Sequence, residues 1–231
     1  MALNGYIGVS NYAKKIKNMY IGITNVAKKV KKGYIGVNGV AKLFWLLIGT
    51  INKVSSVTAF NTAREQLAAT HIGNYALFAG GQNSSSNPLS SVEAYNTSLT
   101  RSSPTSLNYG MRYLSGTHAG NSYAIFAGGR GKNSNYYKTP TAYNSSLTMS
   151  TPSDLSDGRS NLAATYTGDY ALFGGGYTSG TGTLYNTVDT YNTSLTKGNA
   201  TGLRYSRHDL AATHIGNYAM FGRWNSKWKF I

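Results

Sequence analysis

The sequence predicts an all-β protein, and three observations carry the prediction. First, one short strand ending in glycines recurs four times: Asn74-Tyr75-Ala76-Leu77-Phe78-Ala79-Gly80-Gly81, then residues 122–129, 169–176 and 217–223. Its tyrosines stand at 75, 123, 170 and 218, a period of 48, 47 and 48 residues. A fixed period of that size marks one supersecondary unit repeated in an array. Second, short runs that alternate apolar and polar residues flank each copy, with turn signals between them, which is strand chemistry. Third, the chain opens on a shorter repeat of 14 residues, also rich in aromatic and β-branched positions.

Two domains follow, residues 1–53 and 54–231. The first holds nine lysines and no acid, so it carries +9 of the formal +15; the second holds 13 basic and 7 acidic residues, +6. A basic segment suits nucleic acid, an anionic surface or an acidic protein partner, and equally a solvated surface on small strands. The chain has no cysteine, which excludes disulfides and thiolate metal sites. No secretion signal is read at the start. The longest apolar run, Leu43-Phe44-Trp45-Leu46-Leu47-Ile48, falls far short of the roughly 20 residues a membrane helix needs, so no membrane span is expected.

Within the first domain, Tyr6-Ile7-Gly8-Val9, Tyr20-Ile21-Gly22-Ile23 and Tyr34-Ile35-Gly36-Val37 lead into Ser10-Asn11, Thr24-Asn25 and Asn38-Gly39. Asn-Gly between apolar runs is a strong hairpin signal, so each 14-mer reads as a small hairpin. Alanine-lysine runs around Lys14, Lys28 and Lys31 follow. About 50 residues without staples bury little apolar surface. The missing burial is expected from a partner or from self-association, with Tyr6, Tyr20, Tyr34, Lys14, Lys28 and Lys31 as the docking residues. A free-standing β cap is the structural alternative. These repeats resemble those at the start of proteins encoded in Firmicutes phages and prophages, over roughly residues 5–45. The resemblance implies a virion or tail protein, made in the bacterial cytoplasm and assembled into the particle.

Each unit of the second domain reads as four strands. Leu67–Ile72 leads through Gly73-Asn74 to Tyr75–Ala79; after Gly80-Gly81 and a polar loop comes Ser91–Asn96, then Thr97-Ser98-Leu99-Thr100 and a last strand. Four strands in just under 50 residues is the pattern of a propeller blade. The unit resembles a kelch repeat: the pairs Gly80-Gly81, Gly128-Gly129 and Gly175-Gly176 match, as do Tyr95, Tyr143 and Tyr191, while the family's tryptophan is absent and Leu99, Leu147 and Leu195 stand in that stretch. The resemblance covers about residues 57–222 and implies a kelch-like β-propeller of about four blades. Val57–Thr62 copies the third strand and residues 210–221 copy the first two, so pairing the two ends is expected to close the ring; an open arc completed by another subunit is the alternative. The end, from Gly222 to Ile231, departs from the repeat and carries Trp224 and Trp228.

No catalytic constellation is read. His71, His118 and His214 share one place in the unit, with Tyr166 in the third copy. Polar channel lining is preferred there to a metal site, which would want more ligands close by. Glu93 and Asp189 are equivalent, with Thr141 between them, and form no close carboxylate pair. No enzyme, metal or cofactor is expected. The repeated Asn-Thr-Ser and Asn-Ser-Ser at 96–98, 144–146 and 192–194 read as Asx turns. Binding is expected on the variable loops, through Asn83, Asn87, Arg130, Asn135, Tyr136, Tyr137 and Tyr177, because aromatics stack on sugar rings and amides bond hydroxyls; the same mixture suits protein. The function expected is a non-enzymatic tail or baseplate protein. Its arm docks to other virion proteins, and its loops bind a host surface glycan or protein. The alternatives are a bacterial kelch-type interaction scaffold and nucleic-acid binding through the basic arm.

Overall fold

The computed structural model describes residues 20–23, 26–29, 32–37, 40–46 and 57–222. The chain divides into two compact units, Met1–Ser55 and Ser56–Ile231. The described residues of the first form two antiparallel hairpins. Strand β1 (Tyr20–Ile23) pairs with β2 (Val26–Lys29), placing Ile21 opposite Lys28 and Tyr20 opposite Lys29. Strand β3 (Lys32–Val37) pairs with β4 (Val40–Leu46), with Ile35 opposite Lys42 and a bulge between Gly33 and Tyr34. The two hairpins share one register offset by the 14-residue repeat. The copy at Tyr6–Val9 lies outside the described residues.

Among its described residues the second unit contains three four-stranded antiparallel sheets and two hairpins. The first sheet is β5 (Ala68–Ile72), β6 (Tyr75–Ala79), β7 (Val92–Asn96) and β8 (Arg101–Ser102). The second is β9 (Ser115–Ala119), β10 (Tyr123–Ala127), β11 (Thr141–Tyr143) and β12 (Met149–Ser150). In the third, β13 (Ala163–Thr167) and β14 (Tyr170–Gly174) precede a small hairpin, β15 (Tyr177–Thr178) with β16 (Thr183–Leu184), and then β17 (Val188–Tyr191) and β18 (Lys197–Ala200). The last hairpin is β19 (Ala211–Ile215) with β20 (Tyr218–Gly222). The protein is all-β among the described residues apart from one 3₁₀ turn at Lys132–Ser134.

Successive sheets pack face on face, with their first strands β5, β9, β13 and β19 adjacent in turn. Strand alternation decides which side chains meet. From the first sheet Ile72, Leu77, Ala79 and Ala94 face Ala124, Phe126 and Tyr143 of the second. From the second, Ala119, Ile125, Ala127 and Ala142 face Ala171, Phe173 and Tyr191 of the third. Burial of each such large apolar side chain contributes about 1.5–3 kcal/mol. Small residues in the second strand let the next sheet's phenylalanine approach: a Cβ on Gly174 would lie 2.8 Å from the Phe221 ring.

The glycine pair joins each sheet to the next. Gly81, Gly129 and Gly176 donate their N–H groups to the carbonyls of Met111, Arg159 and Arg207 in the following unit, at 2.9, 2.9 and 2.8 Å. Gly81 has φ +91°, and a Cβ there would stand 2.5 Å from the Glu65 carbonyl oxygen. Only glycine fits both the left-handed backbone and the close approach. A second ladder runs beside it: Tyr113, Asn161 and Asp209 donate to the carbonyls of Gln66, Tyr113 and Asn161, each at 3.0 Å.

The Asx turns are present. Asn96 Oδ1 accepts from the N–H groups of Ser98 and Thr100 at 3.0 and 2.9 Å, and Asn144 and Asn192 repeat the geometry. The expected closure by residues 57–62 is not seen among the described residues. They form no strand, and β20 pairs with β19 alone among the described residues. Instead the Tyr95 hydroxyl donates to the Thr58 carbonyl at 2.7 Å, and Phe60 packs 5.1 Å from Phe78. Thr105 and Ser153 hold the same place, accepting from Tyr143 and Tyr191 at 2.6 and 2.8 Å. The buried tyrosine of the third strand needs an acceptor, and the segment leading into each unit supplies it; residues 57–62 are that segment for the first sheet.

Candidate functional site: an aromatic and guanidinium row on the loop face

The residue after each glycine pair starts a loop: Gln82, Arg130 and Tyr177. Each forms a bridge with the segment entering a first strand, at Glu65, Arg112 and Ser160 respectively. The repeat thus places Gln82, Arg112, Arg130, Tyr177 and His208 along one side of the stack.

Contacts between units make this a continuous row. Gln82 Nε2 donates to Glu65 Oε1 at 2.6 Å, and Arg112 Nη1 donates to Gln82 Oε1. Arg112 and Arg130 exchange backbone hydrogen bonds of 3.0 and 2.8 Å. The Arg130 guanidinium lies 5.8 Å from the Tyr136 ring centre, within cation–π range, while its Nη2 donates to Ser134 Oγ at 2.8 Å. The Tyr136 hydroxyl oxygen accepts from the Ser179 N–H at 2.9 Å. The Tyr136 and Tyr177 rings meet edge to face at 6.5 Å, and Tyr177 lies 4.7 Å from the His208 ring. The Nε atoms of Arg112 and Arg130 are buried without a partner among the described residues.

The structure therefore brings Arg130, Tyr136 and Tyr177 together across two units. Tyr137 turns away from them and stacks on Tyr109, ring centres 4.3 Å apart and 2° from parallel. Asn83 Oδ1 accepts from the N–H groups of Ser85 and Asn87, closing its own loop. Asn135 closes the next loop by accepting from the Gly131 N–H at 2.8 Å. In the arm, Tyr20, Tyr34 and Lys28 fall on β1, β3 and β2; Tyr6, Lys14 and Lys31 lie outside the described residues, as do Trp224 and Trp228.

Sequence reading by loops misses Arg112 and His208, which stand before first strands and not in the variable loops. The signal that finds them is positional: one place in the repeat carries four different chemistries, Glu65, Arg112, Ser160 and His208.

The histidines make a second feature. His71 and His118 rings lie 4.5 Å apart, His118 and Tyr166 3.9 Å, and Tyr166 and His214 4.0 Å. Burial, with His71 and His214 adding to it, pushes His118 down to about 4. A neutral, packed imidazole results. Among the described residues no group of three or more His, Asp or Glu side chains is placed to hold a metal ion.

Glu93 and Asp189 each form an ion pair with an arginine. Arg64 Nη2 meets Glu93 at 2.9 Å and Arg159 Nη2 meets Asp189 at 2.7 Å, both pairs buried. In the middle unit both members change together, to Met111 and Thr141. Burial alone would raise Asp189; hydrogen bonds from Ser156, Lys197 and Arg159 and the nearby Arg159 charge hold its carboxyl below the usual value.

No protein-family model matches the chain, and no curated protein matches it either.

Proposed function

We propose that this chain is a non-enzymatic binding protein of a phage tail or tail-like particle. Its basic arm docks to the particle, and its loop face contacts a host surface glycan. We read the sheet stack as a divergent kelch-like propeller in open form. The observation that carries the reading is the row of Arg112, Arg130, Tyr136, Tyr177 and His208. Tyrosine faces suit sugar rings, and guanidinium donors suit hydroxyl and carboxylate oxygens of acidic polysaccharide. The phage setting rests on the resemblance of residues 5–45 and on an arm with nine lysines and no acid.

Purified protein is expected to adsorb to host-type bacterial cells, and soluble surface polysaccharide is expected to compete. Tyr136→Ala removes a stacking face and should weaken adsorption about tenfold. If the intact protein binds neither cells nor polysaccharide, the glycan reading fails. Deleting residues 1–45 is expected to abolish incorporation into particles; normal incorporation would defeat the docking role. A second reading, nucleic-acid binding by the arm, is favoured by the cross-strand pairing of Tyr20 with Lys29. It predicts affinity that falls steeply with salt.

A further inference from the structure

One interface is made three times inside this chain, and among the described residues it is left unmade at both ends of the stack. In each sheet the face bearing the second strand's odd positions covers the next sheet; the opposite face is covered by the sheet before. On the covered side Ile72, Leu77 and Ile125 are 1%, 0% and 0% exposed. Their counterparts in the last hairpin are not covered: Ile215 is 66% exposed and Met220 55%. At the other end His71 and Ala76 of the first sheet are exposed, whereas His118, Ala124 and Ala171 at matching positions are buried, and Ala69 is exposed where Gly116 and Ala164 are half-buried. The ring row has two ends for the same reason: among the described residues His71 stacks only on His118, and His214 only on Tyr166.

The two uncovered faces are complementary by construction, since their equivalents meet in each internal contact. One offers Ile215, Met220, Ala211 and Thr213; the other offers Ala69, Ala76 and His71, beside a half-buried Phe78 that packs on Phe60. Neither set includes a lysine, arginine, aspartate or glutamate. We propose that the last hairpin of one copy docks on the first sheet of a second copy, head to tail, repeating the internal sheet-to-sheet contact. Such a heterologous contact closes into a ring if the rotation allows and otherwise extends as a filament. The occupant is a second copy because the chain already carries both halves of the contact and keeps them apart.

Sedimentation velocity of the full chain over a concentration series tests this. The mass is expected to rise with concentration. Met220→Glu at one end and Ala76→Glu at the other should each weaken association roughly a hundredfold or more, because an unpaired carboxylate would be buried. Mixing the two variants should restore a complex limited to two copies, since each keeps the face the other has lost. Both side chains are exposed, so circular dichroism and melting should match the parent; Thr213→Lys and Ala69→Lys form a second pair if either variant misfolds. A chain monomeric throughout overturns the proposal. So does association that survives both substitutions, or a mixture no more associated than its parts.

Discussion

Arg159 and Asp189 show how one residue pair is constrained by its neighbours. Both side chains are wholly buried, and Arg159 keeps Nε and Nη1 without partners among the described residues. Removing one member leaves a buried charge, so Asp189→Thr alone should destabilise by about 3–5 kcal/mol in urea unfolding. The double change Arg159→Met with Asp189→Thr copies the second unit's Met111 and Thr141. It should recover most of that loss; equal destabilisation by single and double variants would contradict the pairing. His118 acts by protonation. Its folded pKa, about 4, lies below the ordinary 6.5 or so, and the unfolded chain therefore binds the proton first. Its contribution is full above about pH 6.5 and is lost as pH falls towards 4. His118→Tyr, which copies Tyr166, should flatten that part of a stability–pH curve; an unchanged slope would contradict it.

At the scale of elements, the glycine-ended strand is where the repeat is most tightly fixed. Gly81 and Gly216 both have positive φ, but a Cβ on Gly81 meets Glu65 at 2.5 Å and one on Gly216 meets nothing within 4 Å. Gly216→Ala should cost about 1 kcal/mol, the backbone term alone. Gly81→Ala should cost clearly more, as thermal unfolding would show; equal shifts would contradict the close approach. Most of these elements were legible because period and alternation are local properties. Tyr75–Ala79 and its copies, the Asx turns and the hairpins at 20–29 and 32–46 are written in consecutive residues. Residues 57–62 were not: Val57-Thr58-Ala59-Phe60-Asn61-Thr62 has third-strand letters, but the Tyr95 hydroxyl and Glu93 carboxylate claim its backbone from outside. The site divides in the same way. Arg130, Tyr136 and Tyr177 stood out as loop aromatics and cations, but Arg112 and His208 join them only because the sheets stack with a fixed offset.

In the molecule as a whole, one unit repeats, its copies stack face on face, and the stacking lines up side chains that lie far apart in sequence. Gln82, Arg112, Arg130, Tyr136, Tyr177 and His208 come from three sheets and the last hairpin's entry. The row exists only when those sheets are in register, so its binding and the fold's integrity should fail together on heating. Hydroxyl-radical footprinting of the protein with and without an adsorbed surface polysaccharide locates the bound face directly. Protection is expected at Tyr136, Tyr177 and His208, with Tyr170 and Tyr205, both more than half exposed, left as reactive as before. Protection centred on Tyr170 or Tyr205, with the row unchanged, would contradict the account.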